Sequence, residues 1–134
     1  MKNNVGLWID HRRAFIVRIT DQGVVTRQTI SNTERQLRRT GSSPLKGRFD
    51  DFEALAEKTR KRAFMNHLNA FYDAVIERLA GAEDVLILGP GEAKNELRKR
   101  MALSHLDKRV AAVKTLDKMS DRQISAQVQK YFAA

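Results

Sequence analysis

The sequence predicts a single α/β domain built on a five-stranded mixed sheet with helices on both faces. Three observations predict this class. The chain opens with three short segments rich in apolar and β-branched residues, residues 64–79 carry one apolar stripe at helical spacing, and residues 85–88 form an apolar run that meets a glycine turn. With 134 residues and 42% hydrophobic content, one domain with a sizeable core is expected over residues 1–134.

The first three segments predict an antiparallel meander. Residues 5–9 lead through a polar turn into residues 14–19, and a third β-branched run, residues 24–30, follows a second turn. Trp8 has the opposite strand parity to Leu7 and Ile9, so we expect it to pack under a helix on the other face or to lie exposed. Asp10 is interpreted as a turn residue that accepts hydrogen bonds from local amides.

Residues 32–61 predict a long, basic and partly mobile loop. They lack sustained periodicity and contain the turn-forming sequence TGSSP at residues 40–44. The stretch mixes charge with turn formers and offers little apolar surface to offset the entropy of ordering, so residues 38–58 are expected to be the most mobile.

Two βα units and a terminal helix complete the prediction. The stripe on residues 64–79 ends near Gly81, the strand at 85–88 precedes a helix at about 92–104, and a last strand is predicted over 109–113. Ser120 with Gln123 three residues later resembles a capping box that starts the terminal helix. The order is therefore βββαβαβα, for which the ribonuclease H-like arrangement is the best-known solution.

The formal net charge of +9 is the strongest functional indication in the composition. Residues 32–62 carry nine Lys and Arg against five Asp and Glu, and residues 94–109 carry six against two, whereas residues 63–93 hold one basic residue against five acids. Such segregated charge favours a polyanion such as RNA, with a merely solvated surface as the alternative. The absence of cysteine, membrane-length apolar runs and a signal peptide leads us to expect a cytoplasmic protein without a membrane partner.

The turn at residues 89–91 predicts an open helix N-terminus. Gly89 and Gly91 flank Pro90 and would let a phosphate approach the backbone, with Lys94 beside the free amides. The next helix is expected to bury Ala93, Leu97 and Met101 and to expose Lys94, Arg98 and Lys99. The alternative is that the glycines only make the turn and that Glu92 and Glu96 neutralise Lys94.

The same segment, residues 89–97, resembles the GPG-x-x-K segment in the central domain of the archaeo-eukaryotic peptide chain release factor and Pelota superfamily. The opening Leu7-Trp8-Ile9-Asp10 is similar to the first hairpin of those domains. The resemblance covers essentially the whole chain and implies a stand-alone central domain with a translation-related role. Release factors carry Gly-Gly-Gln in the loop after the third strand, whereas this chain has only Gly41-Ser42-Ser43, so peptidyl-tRNA hydrolysis is not implied.

Catalytic alternatives find little support in the residues. A ribonuclease H-like nuclease needs carboxylates that converge from several elements; Asp10 could be the first, but the fourth strand ends in Leu88-Gly89-Pro90 and Glu77 lies near the wrong end of its helix. His11, His67 and His105 have no metal-ligand spacing, and no cofactor or metal is expected. We therefore predict a protein that is not an enzyme.

The sequence thus predicts a non-catalytic protein that binds rRNA, tRNA or the ribosome through backbone contacts. The competing interpretation is a protein-interaction module, or a homodimer that pairs an edge strand with a second copy. The candidate RNA-binding or phosphate-binding residues are Gly89, Gly91, Lys94, Arg98, Lys99, Arg35, Arg38, Arg39, Lys46 and Arg48.

Overall fold

The computed structural model describes residues 3–31 and 50–133. The elements follow the predicted order, with one added turn of 3-10 helix, Asp107–Arg109, before the last strand. The strands and helices are β1 (Asn4–Ile9), β2 (Arg13–Thr20), β3 (Gly23–Ile30), α1 (Asp50–Arg78), β4 (Asp84–Gly89), α2 (Ala93–Ala102), β5 (Val110–Thr115) and α3 (Asp121–Ala133).

The five strands form one mixed sheet in the order β3-β2-β1-β4-β5. The β1–β2 and β2–β3 pairs are antiparallel, whereas β4 runs parallel to both β1 and β5. This confirms the predicted ribonuclease H-like arrangement. The central strand β1 and its parallel neighbour β4 are buried along almost their whole length, which explains their continuous apolar sequences.

The sheet divides the core into two clusters. On one face, Leu7, Ile9 and Ile87 pack with the buried sides of α1 and α2. On the other face, Trp8 and Leu88 pack under Ile124 and Val128 of α3. Alternation along β1 therefore sends Trp8 away from its neighbours, as its parity predicted, and its Nε1 donates to the Asp117 carbonyl at 3.2 Å.

Gly6 lets α3 lie close to the centre of the sheet. A Cβ atom added at Gly6 would lie 2.5 Å from one methyl carbon of Val128 and 2.6 Å from the other. The branched side chain of Val128 has little rotamer freedom in a helix, so it cannot turn away from both contacts. Glycine at this position therefore sets the distance between β1 and α3.

The predicted capping box starts α3. Ser120 N donates to Gln123 Oε1 at 2.9 Å, and Gln123 N donates to Ser120 Oγ at 3.2 Å. The prediction for Asp10 is confirmed in the same way, because its Oδ1 accepts from the amides of Arg12 and Arg13 at 2.8 Å each. These local motifs were readable from sequence because every partner lies within three residues.

The predicted loop at 32–61 is too long. Helix α1 already begins at Asp50, so residues 50–61 are helical and not part of a mobile loop. The acidic pair Asp50-Asp51 suits a helix N-terminus, and the sequence contains neither Gly nor Pro from Asp50 up to Gly81. The rest of the predicted loop, residues 32–49, lies outside the described residues.

Among the described helices, none combines the length and the apolar character that crossing a bilayer requires. The longest, α1, carries exposed charged residues from Glu57 to Arg62. This charge excludes α1 itself as a membrane span.

Candidate functional site

The carboxyl ends of β1 and β4 lie side by side at one edge of the sheet. From there the chain turns through residues 10–12 after β1 and through residues 90–92 after β4. In open sheets with parallel strands, ligands commonly bind beyond such carboxyl ends. This edge, together with the helices that border it, is therefore the candidate site.

The two glycines of the turn differ in what they do. A Cβ atom added at Gly89 would lie 2.3 Å from the backbone oxygen of Ile9, so only glycine permits β1 and β4 to approach at their ends. A Cβ atom at Gly91 would meet nothing within 4 Å, and Gly91 does not have a positive φ. Gly89 is thus required by strand packing, whereas nothing in the described fold requires Gly91 to be glycine.

Lys94 does not face solvent, and the expectation that it would is wrong. Its residue exposure is 7%, and its Nζ donates to the carbonyl oxygen of Gly91. The long side chain folds back over the turn instead of reaching outward. Helix α2 begins at Ala93, with Glu92 as N-cap residue, one position after the predicted start at about residue 92. The predicted burial of Ala93, Leu97 and Met101 is confirmed.

A hydrogen-bonded network joins three elements at this edge. His11 Nε2 lies 2.8 Å from Glu96 Oε1, and Tyr72 OH donates to the same oxygen at 2.6 Å. The ring of Phe64 meets the His11 ring edge-on, with 6.2 Å between centroids. The network fixes the β1–β2 turn, α1 and α2 relative to one another.

The pKa values in this network follow from its geometry. Burial acts to raise the pKa of Glu96, but the hydrogen bonds from Tyr72 and His11 outweigh burial and hold that pKa below its usual range. Burial, reinforced by the bond to the Glu96 carboxylate, raises the pKa of Tyr72. Glu96 is therefore a fixed anion that two donors hold, and its role is to tie elements together.

Arg98 and Lys99 are exposed on α2, as predicted. They line an open groove of about 470 Å³ together with Glu92, Asn95, Ala102 and Asp107. The next residue, Arg100, forms an ion pair with α1. Its Nε and Nη2 donate to the two carboxylate oxygens of Asp73 at 2.8 and 2.9 Å. Arg98 and Lys99 are thus the cations that α2 exposes at this groove.

Sequence reasoning missed a second basic surface. Because Phe64 is level with His11 at the sheet edge, the part of α1 before it extends past the edge, by roughly 20 Å for its 14 residues at 1.5 Å per residue. This projecting half of α1 exposes four cations. They are Lys58, Arg60, Lys61 and Arg62.

The signal for this surface was present but unused. The acidic start at residues 50–53 and the run without Gly or Pro from there to Gly81 predict a helix, although no sustained apolar periodicity marks its first half in the sequence. The remaining candidates lie outside the described residues, so their placement stays a prediction. They are Arg35, Arg38, Arg39, Lys46 and Arg48.

The described residues show no arrangement suited to metal chemistry. No group of three or more His, Asp or Glu side chains within residues 3–31 and 50–133 could hold a metal ion. Asp10 is occupied by the amides of its own turn, and β4 ends in Gly89 where a nuclease would need a carboxylate.

The solved structures that this chain resembles include two archaeal Pelota proteins. The Pelota protein of Thermoplasma acidophilum matches 99% of this chain and 32% of its own, with a TM-score of 0.56 and 15% identity. The Pelota protein of Archaeoglobus fulgidus matches 96% of this chain and 31% of its own, with a TM-score of 0.56 and 14% identity. The chain has a Pelota-like fold. This confirms, at the level of the fold, the resemblance that residues 89–97 indicated.

At 15% and 14% identity, the match to the two Pelota proteins is one of architecture rather than of sequence. An archaeal translation termination factor aligns with 98% of this chain and 39% of its own at 13% identity, with a TM-score of only 0.49. No protein-family model matches the chain, and no curated protein matches it. The chain spans about a third of the length of the Pelota proteins it resembles.

Proposed function

We propose that this chain is a non-catalytic RNA-binding protein that acts on the ribosome in a translation-related role in the cytoplasm. The observation that carries the proposal is that nearly the whole chain adopts a Pelota-like fold. The superfamily that its glycine turn resembles acts in translation. The lack of a Gly-Gly pair in the sequence supports a role other than peptidyl-tRNA hydrolysis.

The basic side chains supply the RNA contact in this proposal. Arg98 and Lys99 lie on α2, and the cations of residues 58–62 lie on the projecting half of α1. The other half of α1 is joined to α2 by the Arg100–Asp73 pair. The basic side chains would hold phosphates through salt bridges, so recognition would depend on the nucleic-acid backbone more than on base sequence. Lys94 is left out of this surface because its ammonium group is already bound to Gly91.

Filter binding of tRNA and of ribosomes at two salt concentrations tests the proposal. We expect affinity to fall steeply with salt, with log K dropping by about 0.7 to 0.9 per phosphate contact for each unit of log salt. The variant Arg98→Glu with Lys99→Glu should weaken binding about tenfold or more and reduce this slope, because two contacts become repulsive.

A matched control separates a defined surface from net charge alone. Lys118→Glu with Arg122→Glu makes the same change in charge at two exposed positions, one just before α3 and one in its first turn, and it should reduce affinity much less. Equal losses of RNA affinity in the two double variants would show that net charge, and not a defined surface, determines binding. Salt-insensitive binding, or no binding by the unmodified protein, would overturn the proposed function.

A further inference from the structure

Strand β3 is an edge strand with one set of unused backbone groups. It pairs with β2 along its full length, from Gly23 opposite Thr20 to Ile30 opposite Arg13. Because Ser31 N bonds to Arg12 O, antiparallel alternation turns the backbone groups of residues 25, 27 and 29 towards β2. Those of the even residues, Val24, Thr26, Gln28 and Ile30, therefore point away from the sheet, where no described strand receives them.

Within the described residues, this edge lacks the proline, the bulge and the run of charges that protect edge strands from pairing. It has no proline, its register with β2 is continuous without a bulge, and Arg27 is its only charged residue. Val25 is 56% exposed and Ile30 is 59% exposed. A regular, eight-residue, β-branched edge of this kind is a template for another strand.

A basic groove lies beside this edge on the face that carries α1. It measures about 490 Å³ and is lined by Ile16, Arg18, Val25, Arg27, Glu77 and Arg78. Arg18 is committed, because its Nη2 donates to the carbonyl oxygens of Arg78 and Ala80 at 2.7 and 3.1 Å. Within the part of the chain that the structure describes, no hydrogen bond or ion pair engages the guanidinium groups of Arg27 and Arg78, which remain for a ligand. Glu77 is the one acid among the lining residues.

We propose that β3 is a docking edge for an extended acidic segment of a partner protein. The segment adds a sixth strand by pairing with the outward backbone groups of Val24, Thr26, Gln28 and Ile30. Its side chains on the α1 face lie beside Val25 and Arg27, so that carboxylates reach Arg27 and Arg78.

Charge selects this occupant over two others. A second copy of the chain would bring another Arg27 and a net charge of +9 to the same edge. Residues 32–49, which follow β3 in the chain, contain five basic residues and one acid, so they do not complement an arginine-lined groove. The docking edge is also separate from the α2 part of the proposed RNA contact, because β3 and β5 are opposite edges of the sheet and the 3-10 turn that starts at Asp107 of the α2 groove leads into β5.

Amide hydrogen exchange of the full chain tests whether the edge is free. We expect alternation, with fast exchange at Thr26 and Gln28 and slow exchange at Val25 and Arg27. Slow exchange at the even positions in a dilute monomer would mean that the chain covers its own edge. Protection that rises with protein concentration, together with dimers in sedimentation, would assign the edge to a second copy. Either result overturns the proposal.

A designed peptide then tests strand addition. The probe is the acetylated and amidated peptide Thr-Glu-Val-Glu-Val-Glu-Val-Thr, and two control peptides carry lysine for glutamate or N-methyl groups on alternate amides. We expect the acidic peptide to bind, to slow exchange at Val24, Thr26 and Gln28, and to lose binding in both control forms. Equal binding of the N-methylated form would show adsorption to arginines without strand pairing and would overturn the proposal.

Protein variants separate this surface from the RNA surface. Thr26→Pro removes an outward amide without breaking the β2 ladder, and Arg27→Gln with Arg78→Gln removes the free charges. Each should weaken peptide binding about tenfold or more at an unchanged melting temperature. Arg98→Gln with Lys99→Gln should leave peptide binding intact while weakening RNA binding, so either activity can fail without the other. Peptide binding unaffected by the β3 variants would refute the docking edge.

Discussion

Replacing the two glycines of the β4–α2 turn separately distinguishes architecture from ligand binding. In Gly89→Ala the new methyl group would lie 2.3 Å from Ile9 O, whereas ordinary contact begins near 3.4 Å. The strand ends must separate by roughly 1 Å, and no side-chain rotation can relieve the contact because the obstacle is backbone. We expect a loss near the upper end of the overpacking range, about 3 kcal/mol.

The matched substitution Gly91→Ala should behave in the opposite way. The added methyl group meets nothing within 4 Å, and φ is not positive, so alanine restricts the unfolded chain without straining the fold. A gain of about 0.4 to 1 kcal/mol is expected. Urea unfolding followed by the fluorescence of Trp8, the one tryptophan in the chain, measures both changes.

Two results would refute this reasoning. A Gly89→Ala protein as stable as the unmodified chain would show that β1 and β4 can separate at no cost. A Gly91→Ala protein destabilised by more than about 1 kcal/mol would show an unrecognised backbone constraint.

The same variant also tests ligand binding at the turn. If Gly91→Ala keeps its stability but loses RNA affinity, a phosphate approaches the turn backbone, as the glycine pattern first suggested. Unchanged affinity would leave the turn with a structural role alone.

Three further substitutions test the packing, the Glu96 network and the cap of α3. Gly6→Ala should cost about 1 to 3 kcal/mol by overpacking, and Val128→Ala in the same chain should restore part of that loss; additive losses in urea unfolding would contradict the contact. The pKa of Glu96 is lowered from 4.5, so its contribution to stability is present above that value and is lost as pH falls through the folded-state pKa. Tyr72→Phe removes one donor and should move the acid-unfolding midpoint to higher pH; an unchanged midpoint would exclude Tyr72 from stabilising that anion. Because the pKa of Tyr72 is raised, the same variant should also lose less stability than the unmodified chain above pH 10. Ser120→Ala should cost about 1 kcal/mol in thermal unfolding, and no loss would mean that Gln123 alone holds the start of α3.

The fold was predictable where a buried face makes apolar residues recur at regular spacing in the sequence. Leu68, Phe71 and Val75 are spaced for one helix face because that face packs on the sheet. Residues 57–62 of α1 are all exposed and carry no such stripe, and this part of the helix was mistaken for loop. Its acidic start and its freedom from Gly and Pro were the remaining signals.

The candidate site was less predictable, since it depends on tertiary convergence. His11 and Glu96 are separated by 85 positions, and no local pattern in either segment predicts their hydrogen bond. The prediction for Lys94 was wrong for a different reason. A lysine in the first turn of a helix was expected to face water, but its flexible side chain lets Nζ fold back and donate to a carbonyl oxygen of the preceding turn. Arg98 and Lys99 lie on the polar side of the helical period that buries Leu97 and Met101, and their exposure was predicted correctly.

The division of the core by the sheet means that the two halves can open independently. Helix α3 is the only described helix over Trp8, and of its own side chains only Ile124 and Val128 are fully buried there. Undocking it would leave the α1 and α2 half closed while water reached the indole ring. In native-state exchange α3 should thus behave as a separate foldon, with an opening free energy below that of β1 and β4. A quencher in solution would detect that opening through Trp8 before global unfolding begins.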